Sequence, residues 1–185
     1  MTRLSSVVAV AVVTVSLGMS LGAQSHPDLT GDWVLNRDMT AGLTDAKTGA
    51  RANATGGGAV ARGGAMMSDA AAVTPEYRVT AAADVVTIDR VGAPTPQKYV
   101  YKLDGSESIN IVGTTTTRTK SHWAGASLVT EGTREISTSQ GKITATMKDT
   151  RSLDSNGAMV VEMTRQVEGQ LASTTYQVFV KKPKT

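Results

Sequence analysis

The chain has 185 residues, 40% of them hydrophobic and 19% charged, a balance that excludes a disordered or fibrous chain and predicts one globular domain with a real core. The formal net charge is +3, yet the basic residues are scattered and aromatics make up only 4%, which argues against nucleic-acid binding, where clustered Lys/Arg and stacking rings are needed. Cysteine is absent, so there is no disulfide framework, thiolate metal site, cysteine nucleophile or lipobox anchor.

In chain order, residues 1–23 carry Arg3, an unbroken apolar run from Val7 to Val13, and small residues at the end. This predicts a secretory signal peptide, with cleavage after Ala23 or, by the small-x-small rule, after Ser25. Loss of Arg3 leaves a net charge of about +2, which favours no particular partner. No later run is apolar and long enough to span a bilayer as a helix. The expectation is a soluble, monomeric, periplasmic or extracellular protein, with residues 26–185 as a single β-barrel domain.

Gly31-Asp32-Trp33 follows, within Asp28–Asn36. It reads as the first strand, with Gly31 allowing the backbone to bend as the Trp33 indole enters the end of a core. Residues 38–72 then shift to Gly, Ala, Ser and Thr with hardly any large apolar side chain. Such a segment cannot bury enough surface to order itself, and is read as a flexible low-complexity insertion. A short helix around 65–72 is compatible with its Ala and Met content.

Beyond Pro75, alternating runs separated by turn residues predict strands at Glu76–Ala81, Val85–Val91, Gln97–Leu103, Glu107–Val112, Thr115–Trp123, Ser127–Thr138, Lys142–Leu153, Ala158–Val167 and Ser173–Lys181. At Ser155-Asn156-Gly157 a three-residue loop ending on glycine pairs Leu153 with Met159 and Asp149 with Met163. That register keeps Met147, Leu153, Met159, Val161, Met163 and Val167 on one face. The fold class is all-β, an antiparallel up-and-down barrel of about eight to ten strands, because a long meander must close or leave exposed edges.

Three stretches together carry a resemblance: Asp28-Leu-Thr-Gly-Asp-Trp-Val-Leu-Asn36, Tyr101-Lys-Leu-Asp-Gly-Ser-Glu107 and Trp123-Ala-Gly-Ala-Ser-Leu-Val129. Over most of the mature length the chain resembles small secreted bacterial lipocalin-like proteins, a largely uncharacterised family. The resemblance implies that Trp33 closes one barrel end against a basic side chain from the last strand region, for which Lys181 and Arg165 both stand open. The chain lacks the Thr-Asp-Tyr motif of true lipocalins, and the glycine-rich insertion is foreign to them.

Candidate chemistry sits on the predicted inner faces. Arg134, Asp149, Arg151 and Arg165 fall on three neighbouring strands, where three cations around one carboxylate could hold an anionic head group. Buried charges are costly unless paired, so the bland reading puts them near strand ends, reaching water. Met147, Met159 and Met163 give a soft apolar wall or plain core filler. The candidate ligand-binding set is therefore Arg134, Asp149, Arg165, Met147 and Met163.

His26 and His122 are the only histidines, and no metal-ligand spacing surrounds them. Neither a P-loop string nor a Gly-x-Ser-x-Gly elbow is present. The expectation is no metal, no cofactor and no catalysis. Thr114–Thr117, Thr144, Thr146 and Thr150 are read as outer skin, whose polarity also argues against a lipid-facing barrel.

Two functions follow from this architecture. The first is binding of a small apolar or amphipathic ligand in the interior. The alternative is a closed-core structural or interaction module of the cell envelope. An empty apolar cavity of roughly 300 Å³ or more favours the first, and a filled interior the second.

Overall fold

A computed structural model describes residues 26–48 and 75–183. The signal peptide, its cleavage site, the glycine runs and the helix expected at 65–72 lie outside the described residues. Ten strands form one sheet: β1 (Gly31–Leu35), β2 (Glu76–Ala81), β3 (Val85–Val91), β4 (Gln97–Lys102), β5 (Ser108–Val112), β6 (Thr115–Ala124), β7 (Ser127–Thr138), β8 (Gly141–Leu153), β9 (Met159–Val167) and β10 (Ser173–Lys181). Their order is β4-β3-β2-β1-β10-β9-β8-β7-β6-β5, with every neighbouring pair antiparallel. This is the up-and-down barrel expected of the alternating runs.

Closure takes an unusual form at the ends of that order. β4 and β5 share no ladder; side chains of β5 reach the β4 backbone instead. The Val100 amide donates to Asn110 Oδ1 at 2.7 Å, Asn110 Nδ2 donates to the Val100 carbonyl at 3.0 Å, and the Lys102 amide donates to Ser108 Oγ at 2.8 Å. An amide side chain carries both N–H donors and a carbonyl acceptor, so Asn110 stands in for a missing strand residue. The barrel is nearly closed, with a side-chain seam.

One correction concerns the insertion. Its beginning is not a loop, because Arg37–Thr48 forms helix α1. Asn36 caps it, its Oδ1 accepting from the Met39 amide at 3.0 Å, and Asp38 lies in the first turn near the positive end of the dipole. The Thr40 hydroxyl accepts from the Val178 amide at 2.9 Å and so fixes α1 on β10. Tertiary docking outweighs the weak helix propensity of this Thr- and Gly-containing sequence.

The interior has two unlike walls. The apolar one collects Leu29, Trp33, Val79, Val86, Met159 and Phe179, all at most 2% exposed. The polar one runs along β5 to β7, where Ser108, Asn110, Thr117, Thr119, Ser121 and Thr130 are buried. Thr117 is thus a second correction: it faces inward rather than forming outer skin, because strict alternation carries Thr117, Thr119 and Ser121 to one face. The apolar side chains of β5 point out instead, leaving Ile109 and Ile111 at 51% and 70% exposure.

Trp33 seals the apolar end. It is fully buried, its Nε1 donates to the Leu29 carbonyl at 2.9 Å, and Lys181 Nζ lies 5.3 Å from the ring centroid. The basic partner is therefore Lys181, which pairs with Trp33 across β1 and β10. Gly31 has φ +148°, and a Cβ there would meet Lys181 Cε at 3.5 Å. A Cβ at that distance makes only ordinary contact, so it is the positive φ that favours glycine at 31.

Candidate functional site

The cavity lies between the two walls, and β8 runs through its centre. Met147, Asp149 and Arg151 alternate inward on that strand, and Asp149 pairs with Met163 and Met147 with Arg165 on β9. The three-residue turn produces this register: Asp154 Oδ1 accepts from the amides of Asn156 and Ala158, each at 2.9 Å, and Gly157 adopts φ +78°. Leu153 then faces Met159, as the sequence predicts.

Cross-strand geometry assembles the charges. Arg165 sits diagonal to Asp149, within reach of a long side chain. Its Nη1 lies 2.5 Å from Asp149 Oδ1 and also donates to the Thr164 carbonyl at 2.9 Å. Arg151, two residues along β8, places Nη2 3.3 Å from Asp149 Oδ2. Each carboxylate oxygen thus has its own guanidinium, and the aspartate side chain is only 5% exposed. Such a pair offsets its desolvation only when it is fully hydrogen-bonded.

It is not complete on the arginine side. Arg151 Nη1 is buried and finds no acceptor in the protein. The same guanidinium lies over the Tyr101 ring at 5.6 Å, which favours its charge without satisfying its N–H groups. Counting Arg151 and Arg165 against Asp149, the site holds one positive charge in excess, and Arg134 also lines the cavity. An interior of low dielectric strongly favours a compensating anion.

All five residues of the candidate ligand-binding set, Arg134, Asp149, Arg165, Met147 and Met163, line this one cavity. Sequence reasoning missed its aromatic side: Tyr77, Tyr99, Tyr101 and Phe179 line it too. Tyr99 and Tyr101 stack with centroids 6.4 Å apart, and Tyr77 meets Phe179 edge-on at 5.4 Å. The signal for Tyr99 and Tyr101 was their shared face; for Tyr77 and Phe179 it was only their β-strand alternation. Burial pushes the phenols of Tyr77 and Tyr101 above their ordinary pKa, so both stay neutral hydrogen-bonding groups at neutral pH.

The cavity measures about 150 Å³. That is half the volume expected of a carrier, because the methionines, tyrosines and arginines fill much of the interior. The interior is neither roomy nor closed. Elsewhere, His26 stacks on Trp123 with centroids 4.7 Å apart, and its Nδ1 lies 3.2 Å from the Gly125 carbonyl, while His122 is exposed. Among the described residues no group of three or more His, Cys, Asp or Glu is placed to hold a metal ion.

No protein-family model and no curated protein matches the sequence. Among solved structures, the chain is similar to the REP1-NXSQ fatty acid transporter, with 12% identity over 85% of this chain and 98% of that one and a TM-score of 0.48. It is also similar to apo lipid binding protein 8 of Caenorhabditis elegans, with 11% identity over 83% of this chain and 94% of that one and a TM-score of 0.47.

Proposed function

We propose that this chain is an exported, monomeric binding protein, not an enzyme, which takes a small amphipathic anion into its barrel. The observation that carries this reading is the buried Arg151 guanidinium, which shares Asp149 with Arg165 yet leaves Nη1 without an acceptor inside a cavity. A carboxylate placed there accepts that N–H and balances the excess charge, while Met147, Met163, Val161 and Phe179 receive the apolar part. Export rests on the leader of residues 1–23, and no helix among the described residues is long and apolar enough to cross a membrane.

The test compares hexanoate with hexanamide by calorimetry. The acid binds at least about tenfold more tightly if the guanidinium recognises charge, and Arg151→Met removes the preference. Equal affinities overturn the reading. Intact mass spectrometry of protein from its native host, before and after solvent extraction, then identifies the natural ligand class.

The small volume of about 150 Å³ favours the second reading, a closed-core interaction module of the envelope. Protein that carries no extractable mass and ignores both probes supports that module instead.

A further inference from the structure

Four of the chain's seven aromatic residues, Tyr77, Tyr99, Tyr101 and Phe179, line this single cavity, although aromatics are only 4% of the sequence. They are joined by Met147, Met159 and Met163, whose polarisable sulfurs also favour ring contacts. We propose that the anion held here is a single-ring aromatic acid, its carboxylate on Arg151 and its ring among these tyrosines and Phe179. The inference rests on the anion-binding reading above and adds the chemistry of the ligand's body.

Size and shape both point this way. A cavity of about 150 Å³ matches the space an engineered apolar cavity needs to accept benzene, whereas a long acyl chain demands much more. Rings prefer offset or edge-on neighbours, and the lining already presents both a stacked pair, Tyr99 with Tyr101, and an edge-on pair, Tyr77 with Phe179. A saturated ring or short chain gains only dispersion contacts from such a lining. The guanidinium of Arg151 over Tyr101 brings the charge to the edge of the aromatic cluster, so head and ring of one small acid reach their partners together.

The experiment titrates the wild-type protein with benzoate, benzamide, cyclohexanecarboxylate and cyclohexanecarboxamide, with methyl-labelled methionine observed by NMR. Benzoate is expected to bind about threefold to tenfold more tightly than cyclohexanecarboxylate, and to move the Met147, Met159 and Met163 methyl resonances upfield through its ring current. Equal or tighter binding of the saturated acid overturns the aromatic inference and leaves the anion reading standing. Acids no tighter than their amides overturn the anion reading, and the aromatic-acid proposal falls with it. If none of the four binds, both are wrong.

Discussion

Asn110 holds the backbone of Val100 at two points, accepting from its amide at 2.7 Å and donating to its carbonyl at 3.0 Å. These bonds close the barrel where no strand ladder does. Asn110→Ala removes both and leaves the Val100 amide and carbonyl without their part-buried partner, and is expected to cost about 1 to 3 kcal/mol in urea unfolding. Amide exchange at Val100 should quicken by a larger factor than at Val129 in the central strands. Uniform quickening across the sheet would mean that the seam has no local stability of its own.

Asp149 pairs with two arginines at once, one through each carboxylate oxygen. Asp149→Asn keeps the shape but leaves both guanidiniums without a counter-charge, at a cost of about 3 to 5 kcal/mol. The same substitution should enlarge the stabilisation that millimolar benzoate gives in thermal melts, because the anion then meets a larger uncompensated charge. A variant that melts like wild type would remove the ion pair from the list of forces that hold β8 and β9 in register.

Trp33 fills the apolar end and donates to the Leu29 carbonyl. Trp33→Ala is expected to cost about 3 to 5 kcal/mol. Lys181→Met, which keeps the stem and deletes the charge over the ring, should cost no more than about 1 kcal/mol. Denaturant titration of the pair separates packing from the cation contact, and comparable losses would contradict the assignment of Trp33 as the seal.

Gly132 pairs with Thr119 and Met147 in the middle of the sheet, where a Cβ would come within 1.9 Å of the Arg118 carbonyl oxygen. The neighbour is backbone and cannot rotate away. Gly132→Ala should therefore push β6 from β7 and cost about 3 kcal/mol or more, read as a lowered urea midpoint. A neutral result would show that the two strands part without penalty at this position.

Tyr77 and Tyr101 both have phenol pKa values raised above 10.0, chiefly by burial. Above about pH 10 the unfolded chain releases protons that the folded chain retains. Their contribution to stability is whole below the unfolded pKa and disappears as pH climbs through the folded one. The urea midpoint should fall less steeply beyond pH 10 in Tyr101→Phe than in wild type. Parallel slopes would exclude Tyr101 from the alkaline transition.

Much of the fold was legible because alternation and turn chemistry agree. Glu76–Ala81, Val85–Val91, Ser127–Thr138 and Ser173–Lys181 have the ends their patterns predict, and Gly157 sets the β8–β9 register. Helix α1 was not legible from composition, since its stability comes from Val178 on the far side of the chain; Asn36 followed by Asp38 was the local signal. The inward charges were visible as alternation, but their pairing depended on a diagonal across β8 and β9 that only the assembled sheet displays. Thr117 was misplaced because a threonine run has no apolar partner to mark which face is buried. The cavity's size had no sequence signal, being what remains after large side chains have packed.

The placement of β10 between β1 and β9 fixes when this protein can fold. The first strand finds its second neighbour only in residues 173–181, so a chain still being made has Trp33 without Lys181 beside it and Phe179 absent from the core. The hairpins from β2 to β4 and from β5 to β9 can form on their own, yet a strand ladder joins the two halves only when that last strand is inserted between them. Truncation within Ser173–Lys181 therefore does more than fray an edge: it divides the sheet at its midpoint.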